Sequence, residues 1–316
     1  MFRKAILIFL IIFTLFSFTA CGTDAREANG DIDRTAAPEV KEINGIPLNA
    51  ATAVVTEAVA DVFAQPDVTS QRVSQVLYNQ PVSILEERGG WVRLRAVNGS
   101  SGWVRSKFVE KDISSIYGKS RTHKIIVTSK EKGIFSDSTG GITIKDVAMG
   151  TEFFTFNTAA NAYEVYLPGN KTGWFRGSGI IHVDLNSEVP VTSGDDFASS
   201  ALKFKGTSYL INGLSSLGID SPGLIYLCSR INGVNLPRNL EGQMSSGDEI
   251  SMDEVAAGDI VFLASADDEK VISDAGICLG NGQFIHASRS SGYVRLDGLN
   301  ESGSDGKPVL ARRIFR

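Results

Sequence analysis

The distribution of apolar and polar positions divides this chain into regions of different character. An apolar run from Ala5 to Phe18 precedes a polar stretch, residues 22 to about 50, that shows no apolar period. From residue 53 to about 185, short β-type runs such as VSILEE, WVRLRAV and GWVRSKFV alternate with turns. Beyond a break near residues 188–193, helical spacing appears first and strand-like runs follow. A chain of 316 residues with this pattern predicts two or three domains.

The β-type region contains an internal repeat of about 70 residues. Its first copy runs from Trp91-Val-Arg-Leu through an Asn98-Gly99 turn to Gly102-Trp103-Val-Arg. Its second copy runs from Tyr163-Glu-Val-Tyr through a Pro168-Gly169-Asn170 turn to Gly173-Trp174-Phe-Arg. Short strands joined by hairpin turns predict two small barrels, at residues 53–112 and 120–185. We expect the three tryptophans in the barrel cores, with ligand stacking by one of them as the alternative.

The C-terminal region, residues 192–316, begins with two predicted helices. The first carries apolar residues at helical spacing from Phe197 and ends near Gly206. The second opens at Ser221-Pro222, where serine is a favoured N-cap and proline a favoured first helical residue. Its apolar stripe includes Cys228, and Asn232-Gly233 ends it. Strand-like runs follow at 259–264, 276–279, 283–287, 293–296 and 309–314, so this region is predicted to be an α+β domain.

The N-terminus has the composition of an export signal. Arg3 and Lys4 precede the apolar run, which meets Thr19-Ala20-Cys21 and is shorter than the roughly 20 residues of a membrane-spanning helix. Small residues directly before a cysteine resemble a lipobox, which predicts a lipoprotein signal peptide at 1–20 and acylation of Cys21. Residues 21–52 would then form a flexible linker. A plain cleaved signal and an uncleaved anchor are the alternatives. We expect a cell-envelope protein, held to the membrane by lipid on the extracytoplasmic side.

Charge and cysteine usage narrow the possible partners. The net charge is −5, with acidic and basic residues mixed and no basic block, which disfavours nucleic acid as a partner. No sequence feature points to a cofactor or a metal. If Cys21 carries lipid, Cys228 and Cys278 remain, and an exported domain permits a disulfide between them. Whether they pair stays open at this point.

Three segments of the C-terminal region carry a family resemblance. They are TSYLINGLSSLGIDSPGLIYLCSRINGVNLPRNLEGQ, AAGDIVFL and ISDAGICLGNGQFIHASRSSGYVRLD. Their order and spacing resemble the NlpC/P60 family of bacterial cell-wall cysteine peptidases, and the preceding repeats resemble bacterial SH3-like domains. The resemblance implies two all-β SH3-like barrels followed by an α+β, papain-like NlpC-type domain at 192–316. Family members with this organisation cut γ-D-glutamyl bonds in peptidoglycan peptides.

The residues at the family's catalytic positions differ from its pattern. The nucleophile position, a cysteine in the family, is Ser221, and the position of the histidine base is Asp274. The third polar position retains His286. A thiol is readily ionised at a helix N-terminus, whereas a serine hydroxyl needs a well-placed base. Pro222 also lacks a backbone N–H beside the expected oxyanion position.

Two further residues are candidates for ligand binding. Asp220 matches an aspartate that helps to hold the free amine of the peptide in relatives with two SH3-like domains, although a helix-capping role is the alternative. Tyr209 begins the segment Tyr209-Leu-Ile-Asn-Gly213, which stands where the family has YLWGG. The histidines outside the motif region, His123 and His182, are expected to be solvated.

These substitutions lead to the hypothesis of a pseudoenzyme. It would bind peptidoglycan stem peptides or a protein of the cell envelope without cutting them. One alternative is an active peptidoglycan hydrolase that uses a rearranged Ser221 site. The other is a structural adaptor with a closed groove.

Overall fold

The computed structural model describes residues 41–118, 121–159, 161–301 and 305–316. The predicted signal peptide and the lipidation of Cys21 lie outside the described residues. Among the helices of the described ranges, none combines the length and the apolar character that a bilayer crossing requires.

The described chain opens with a small hairpin, so the prediction of a flexible linker as far as residue 52 is wrong for its last part. Strands β1 (Glu42–Ile43) and β2 (Ile46–Pro47) pair across a turn in which Asn44 and Gly45 have φ values of 51° and 75°. Two consecutive positive φ values are typical of a hairpin turn. Ile46 is buried, and Ile43 packs against an apolar cluster that includes Val54 and Phe154, one from each of the two seven-stranded sheets described below. This apolar burial keeps the segment ordered.

The next region forms a seven-stranded antiparallel sheet with its own apolar core. The Asn98-Gly99 turn joins two strands in a hairpin, as the sequence predicts, and Trp91 lies opposite Arg105. The strands are β3 (Thr52–Val55), β4 (Val59–Phe63), β5 (Arg72–Leu77), β6 (Pro81–Arg88), β7 (Trp91–Arg95), β8 (Ser101–Arg105) and β9 (Val109–Glu110), in the order β5-β4-β8-β7-β6-β3-β9.

A second seven-stranded sheet repeats this arrangement. Its strands are β10 (His123–Val127), β11 (Glu131–Phe135), β12 (Thr143–Ala148), β13 (Glu152–Ala159), β14 (Ala162–Leu167), β15 (Lys171–Arg176) and β16 (Ile180–Asp184). The order β12-β11-β15-β14-β13-β10-β16 equals that of the first sheet, strand for strand. The repeated sequence pattern is thus matched by a repeated topology.

The tryptophans are not equally buried. Trp91 and Trp103 lie in the interior of the first sheet region, as expected. Trp174 is half-buried, and the neighbouring Phe175 occupies the second core in its place. His182 is exposed, as expected, whereas His123 is half-buried and pairs with Asp184 at 3.1 Å. Their rings lie on adjacent strands with centroids 4.3 Å apart.

The C-terminal region is α+β, as predicted. Helices α1 (Gly194–Leu202) and α2 (Ser221–Ile231) pack against a six-stranded sheet in the order β19-β24-β20-β21-β22-β23. The remaining elements are α3 (Leu240–Met244), a short ribbon of β17 (Leu214–Ser215) and β18 (Gly218–Ile219), β19 (Asp248–Ile250), β20 (Ile260–Ala264), β21 (Ile272–Cys278), β22 (Gln283–Ser288), β23 (Tyr293–Gly298) and β24 (Lys307–Arg313). Each of the five strand-like runs in the sequence forms a strand. Helix α1 ends four residues before the expected Gly206.

Polar contacts join the C-terminal region to both β regions. The Gln75 side-chain oxygen accepts a hydrogen bond from the Leu214 backbone N–H at 2.7 Å, and the Asn212 side chain donates to the Arg72 carbonyl at 2.8 Å. On the other side, Arg230 at the end of α2 pairs with Glu152 of β13 at 2.5 Å. The first two contacts fix the segment before α2, and the Arg230–Glu152 pair fixes the end of the helix.

Candidate functional site

Helix α2 begins beside the candidate site because Asp220 caps it. The Asp220 carboxylate accepts a hydrogen bond from the Gly223 N–H at 2.9 Å, and its backbone is extended, as an N-cap residue requires. The prediction that Ser221 is the N-cap is therefore wrong by one residue. Ser221 is instead the first helical residue, and Pro222 follows in the first turn, where a missing N–H costs nothing.

The Ser221 hydroxyl is buried against a backbone strand. Its side chain faces Ala287 of β22, whose N–H donates to the hydroxyl at 2.9 Å, while the hydroxyl approaches the Ala287 carbonyl at 3.4 Å. Only 1% of Ser221 is exposed. Strands β21 and β22 pair only at Ile277–Ile285 and Cys278–Phe284, so near Ala287 they have separated. The hydroxyl thus satisfies backbone groups that lack a strand partner.

Asp274 lies on β21 and points to His286 on β22. The Asp274 Oδ2 atom is 2.8 Å from the Nδ1 atom of His286. Burial raises the pKa of Asp274, against the lowering effect of hydrogen bonds from His286 and from the Ser221 hydroxyl. The structure therefore brings the three aligned positions, Ser221, Asp274 and His286, into one cluster.

A fourth residue, Asp297, completes this cluster and was missed from the sequence. Its Oδ2 atom is 3.1 Å from the Nε2 atom of His286, and its other oxygen accepts from Arg295 at 2.6 Å. Asp297 lies on β23 two positions beyond the residue paired with His286. The alternation of YVRLDG, which puts Arg295 and Asp297 on one face, is the available signal.

Both ring nitrogens of His286 are therefore occupied by carboxylates. The ring is fully buried, and burial alone lowers the pKa of His286, but hydrogen bonds and charge from Asp274 and Asp297 raise it above 6.5 overall. Carboxylates at both nitrogens favour the imidazolium form, in which both nitrogens donate and neither accepts a proton. In the described part of the chain, no imidazole nitrogen hydrogen-bonds the Ser221 hydroxyl.

Asp220, the candidate for binding an amine, has its carboxylate engaged by the protein itself. One oxygen contacts Gly223 and, at 2.7 Å, the Arg238 guanidinium, and the other accepts from the Asn212 N–H at 2.8 Å. Asp220 is 7% exposed. The capping role weighed against amine binding is thus present.

Tyr209 lies next to the segment that leads into α2. Its backbone N–H donates to the Gly292 carbonyl at 2.8 Å, and the residue bridges to Ile219 in parallel. Burial raises the pKa of Tyr209, and the nearby Asp220 adds to this effect. The side chain is half-buried and has no hydrogen-bond partner among the described residues.

The two cysteines of the C-terminal region are unpaired. Cys228 and Cys278 are both free and buried, which answers the question that the sequence left open. Burial raises the pKa of both thiols, that of Cys278 to about 12. Neither thiol is activated as a nucleophile.

Comparisons with known proteins agree with this architecture. A model of the NlpC/P60 family matches residues 206–313, and a model of the bacterial SH3 domain matches residues 58–110. The murein DD-endopeptidase MepS/murein LD-carboxypeptidase of Escherichia coli K12 is 32% identical over 163 residues, 50% of this chain and 82% of that protein. The chain therefore belongs to the NlpC/P60 family, with a bacterial SH3 domain before the family domain.

Two relatives from Bacillus cereus match over a greater length. A γ-D-glutamyl-L-lysine dipeptidyl-peptidase is 22% identical over 250 residues, which cover 77% of this chain and 75% of that protein. The crystal structure of an NlpC/P60 family protein superposes with a TM-score of 0.74 at 19% identity, covering 84% of this chain and 100% of that one. This second likeness concerns the fold.

Proposed function

We propose that this protein binds peptidoglycan peptides at the cell envelope without cleaving them. One observation carries the proposal: the hydroxyl at the nucleophile position is buried and bonded to Ala287, while the nearby imidazole has both nitrogens on carboxylates. A serine nucleophile needs a neutral base within hydrogen-bond reach of its proton. The base position here holds Asp274, which bonds to His286 on its far side.

The order of the three side chains argues against a serine triad. In such a triad, histidine contacts the serine and an aspartate orients the histidine. Here the aspartate occupies the position that resembles the family's base, and the histidine lies behind it. The raised pKa of Asp274 does not compensate, because the carboxyl group is already engaged by the His286 ring, whose own pKa is raised.

The proposal also includes a domain beyond those that the family models match. The second seven-stranded sheet, residues 120–185, is proposed as a further SH3-like domain on the basis of its strand order. The first occupies 53–112 and the NlpC-type domain 192–316. Acylation of Cys21 would hold the protein at the membrane, on the extracytoplasmic side where the substrates of its murein hydrolase relatives lie.

The decisive experiment is a cleavage assay with a cell-wall peptide. Purified protein is incubated with L-Ala-γ-D-Glu-diamino acid peptide, and the products are followed by mass spectrometry. We expect no product, and calorimetry should detect binding of the intact peptide. Product that disappears both with Ser221→Ala and with His286→Ala would establish the rival reading, an active hydrolase. Absence of binding would favour the adaptor with a closed groove.

A gain-of-function variant tests whether the groove still recognises substrate. Combining Ser221→Cys, Pro222→Ser and Asp274→His restores the residue types of the family at three positions. We expect this variant to release product, because the thiol would lie at a helix N-terminus beside an imidazole. The matched control restores Pro222→Ser and Asp274→His but keeps the serine, and it should remain inactive.

A further inference from the structure

The first seven-stranded sheet, which belongs to the SH3 domain, carries three arginines on one of its faces. Along β7, Leu94 and Ala96 belong to the apolar core, so alternation places Arg93 and Arg95 on the opposite face. Arg88 of β6 joins them, because it pairs with the residue two positions before Arg93. All three side chains are exposed, and together they are called the arginine face below.

The charges of the arginine face have no partner within the protein. Among the described residues, none of its guanidiniums forms an ion pair. Glu86 lies opposite Arg93 in the strand register, but its carboxylate makes no ion pair with that guanidinium. The next acidic residue, Glu87, pairs with Lys111 at 2.7 Å instead. The face therefore presents three positive charges against one negative charge, in a chain whose net charge is −5.

The three guanidiniums follow one another along the strand direction. Arg88 lies in the cross-strand row before Arg93, and Arg95 lies in the row after it. Neighbouring rows on one face of a sheet are about 6.6 Å apart, since a strand rises about 3.3 Å per residue. Arg105 shares the row of Arg88 but is close to Asp67, which offsets its charge. The arrangement therefore suits a linear ligand that brings one anion to each row.

The second copy of the internal repeat shows that the fold does not require these charges. The same strand pairing in the second sheet places other residues at the three positions, namely Ala159, Glu164 and Tyr166. The second sheet has the same strand order, although its corresponding face carries a carboxylate and no arginine at these positions. The arginines of the first sheet are therefore not needed to form the barrel and remain available to a ligand.

We propose that the arginine face binds a linear polyanion whose charges are phosphodiester groups. A planar guanidinium donates two parallel hydrogen bonds to a phosphate, which makes arginine a suitable residue for each row. Nucleic acid is disfavoured as the polyanion, because Trp91 and Trp103 of this sheet are buried and offer no ring for a base to stack on. Anionic lipid surfaces are recognised by clusters of about 4–8 basic residues rather than by a short line. The inference is independent of the proposed function, since it requires neither binding nor cleavage of a peptide.

The test is calorimetry of the purified full chain with poly(glycerol phosphate) at salt concentrations from about 50 to 200 mM. We expect the logarithm of the binding constant to fall with the logarithm of the salt concentration with a slope of about −2. Each neutralised phosphate contributes about −0.7 to this slope in single-stranded polyanions. Arg93→Gln and Arg95→Gln should each weaken binding about fivefold and make the slope shallower by about 0.7. Glu86→Gln removes the negative charge opposite Arg93 and should strengthen binding several-fold.

Lys171→Gln is the matched control, because it removes an exposed positive charge from the second sheet, and it should bind like the parent protein. Equal loss of affinity in Lys171→Gln and Arg93→Gln would show that only the net charge matters and would overturn the proposal. Absence of polymer binding by the parent protein would also overturn it. Tighter binding, per phosphate, of phosphatidylglycerol vesicles or of single-stranded DNA than of the polymer would assign the face to a lipid surface or to nucleic acid instead.

Discussion

At the scale of single residues, His286 concentrates the electrostatics of the site. A fully buried imidazole lies between Asp274 and Asp297, and Arg295 contacts the second carboxylate. Each carboxylate compensates part of the cost of burying the imidazolium. In the same arrangement both ring nitrogens face carboxylates, and neither contacts the Ser221 hydroxyl.

We predict that His286 remains protonated at pH 7 in the folded protein. Its folded pKa is raised above 6.5 by the two carboxylates, so its contribution to stability is complete below pH 6.5 and is lost as the pH rises through the folded value. Asp274, whose pKa burial raises, acts in the same direction. The pKa of His182 is lowered by burial and by His123, so its contribution is lost as the pH falls.

The chain has 3 histidines, and nuclear magnetic resonance of their imidazole nitrogens between pH 5 and 9 reports the protonation state of each. His286 should show the imidazolium pattern at pH 7, and His182 the neutral one. The variant His182→Asn identifies its own signal and serves as the control. A neutral His286 ring at pH 6.5 would contradict the geometry described for the site.

At the scale of elements, the start of α2 shows what sequence patterns reveal and what they omit. Ser-Pro correctly predicts that a helix begins there, but the cap belongs to Asp220. Both residues are suitable caps, and the choice depends on Arg238 and Asn212, which reach Asp220 only in the folded chain. Contacts between residues distant in sequence are not encoded in a local pattern.

Strand prediction likewise succeeded where the signal is local and failed where it depends on residues distant in sequence. Short β-type runs and the Asn98-Gly99 turn sufficed to predict the β7–β8 hairpin, because these features are local. The partner of His286 on β23 was missed, because pairing between β22 and β23 brings Asp297 near only after the sheet forms. The β1–β2 hairpin was also missed, since its few apolar residues become buried only between larger sheets.

We predict that Asp220→Ala lowers the free energy of unfolding by about 3–5 kcal/mol. It removes a helix cap and leaves Arg238, whose side chain is 11% exposed, as a buried charge without its partner. Urea denaturation followed by circular dichroism at the helix band measures this. Asp220→Asn retains a good cap and should isolate the loss of the ion pair. Ser193→Ala, at the exposed cap of α1, should cost only about 1 kcal/mol. Equal costs for Asp220→Ala and Ser193→Ala would show that the ion pair contributes nothing.

At the scale of the whole molecule, the C-terminal domain is held from two sides. Gln75 of the SH3 domain bonds Leu214, and Glu152 of the second sheet pairs with Arg230 at the end of α2. Asn44 of the N-terminal hairpin also donates to Glu152, at 2.9 Å. The contacts therefore connect all regions of the described chain, and they fix both ends of the helix that carries Ser221.

We predict that Glu152→Gln uncouples the second sheet from the C-terminal domain. Glutamine keeps the size of the side chain but leaves the Arg230 charge unpaired. Both side chains are largely buried, with 17% of Arg230 and 15% of Glu152 exposed. Losing one partner of such a pair costs about 3 kcal/mol or more. In calorimetry, the parent protein should unfold in one transition. The variant should show the C-terminal domain melting separately and at lower temperature.

Glu131→Gln is the matched control. Glu131 also contacts the C-terminal domain, through Ser216 at 3.2 Å, but this contact is exposed. Its unfolding should resemble that of the parent protein. A single unshifted transition in Glu152→Gln would mean that the Glu152–Arg230 pair does not couple the second sheet to the C-terminal domain.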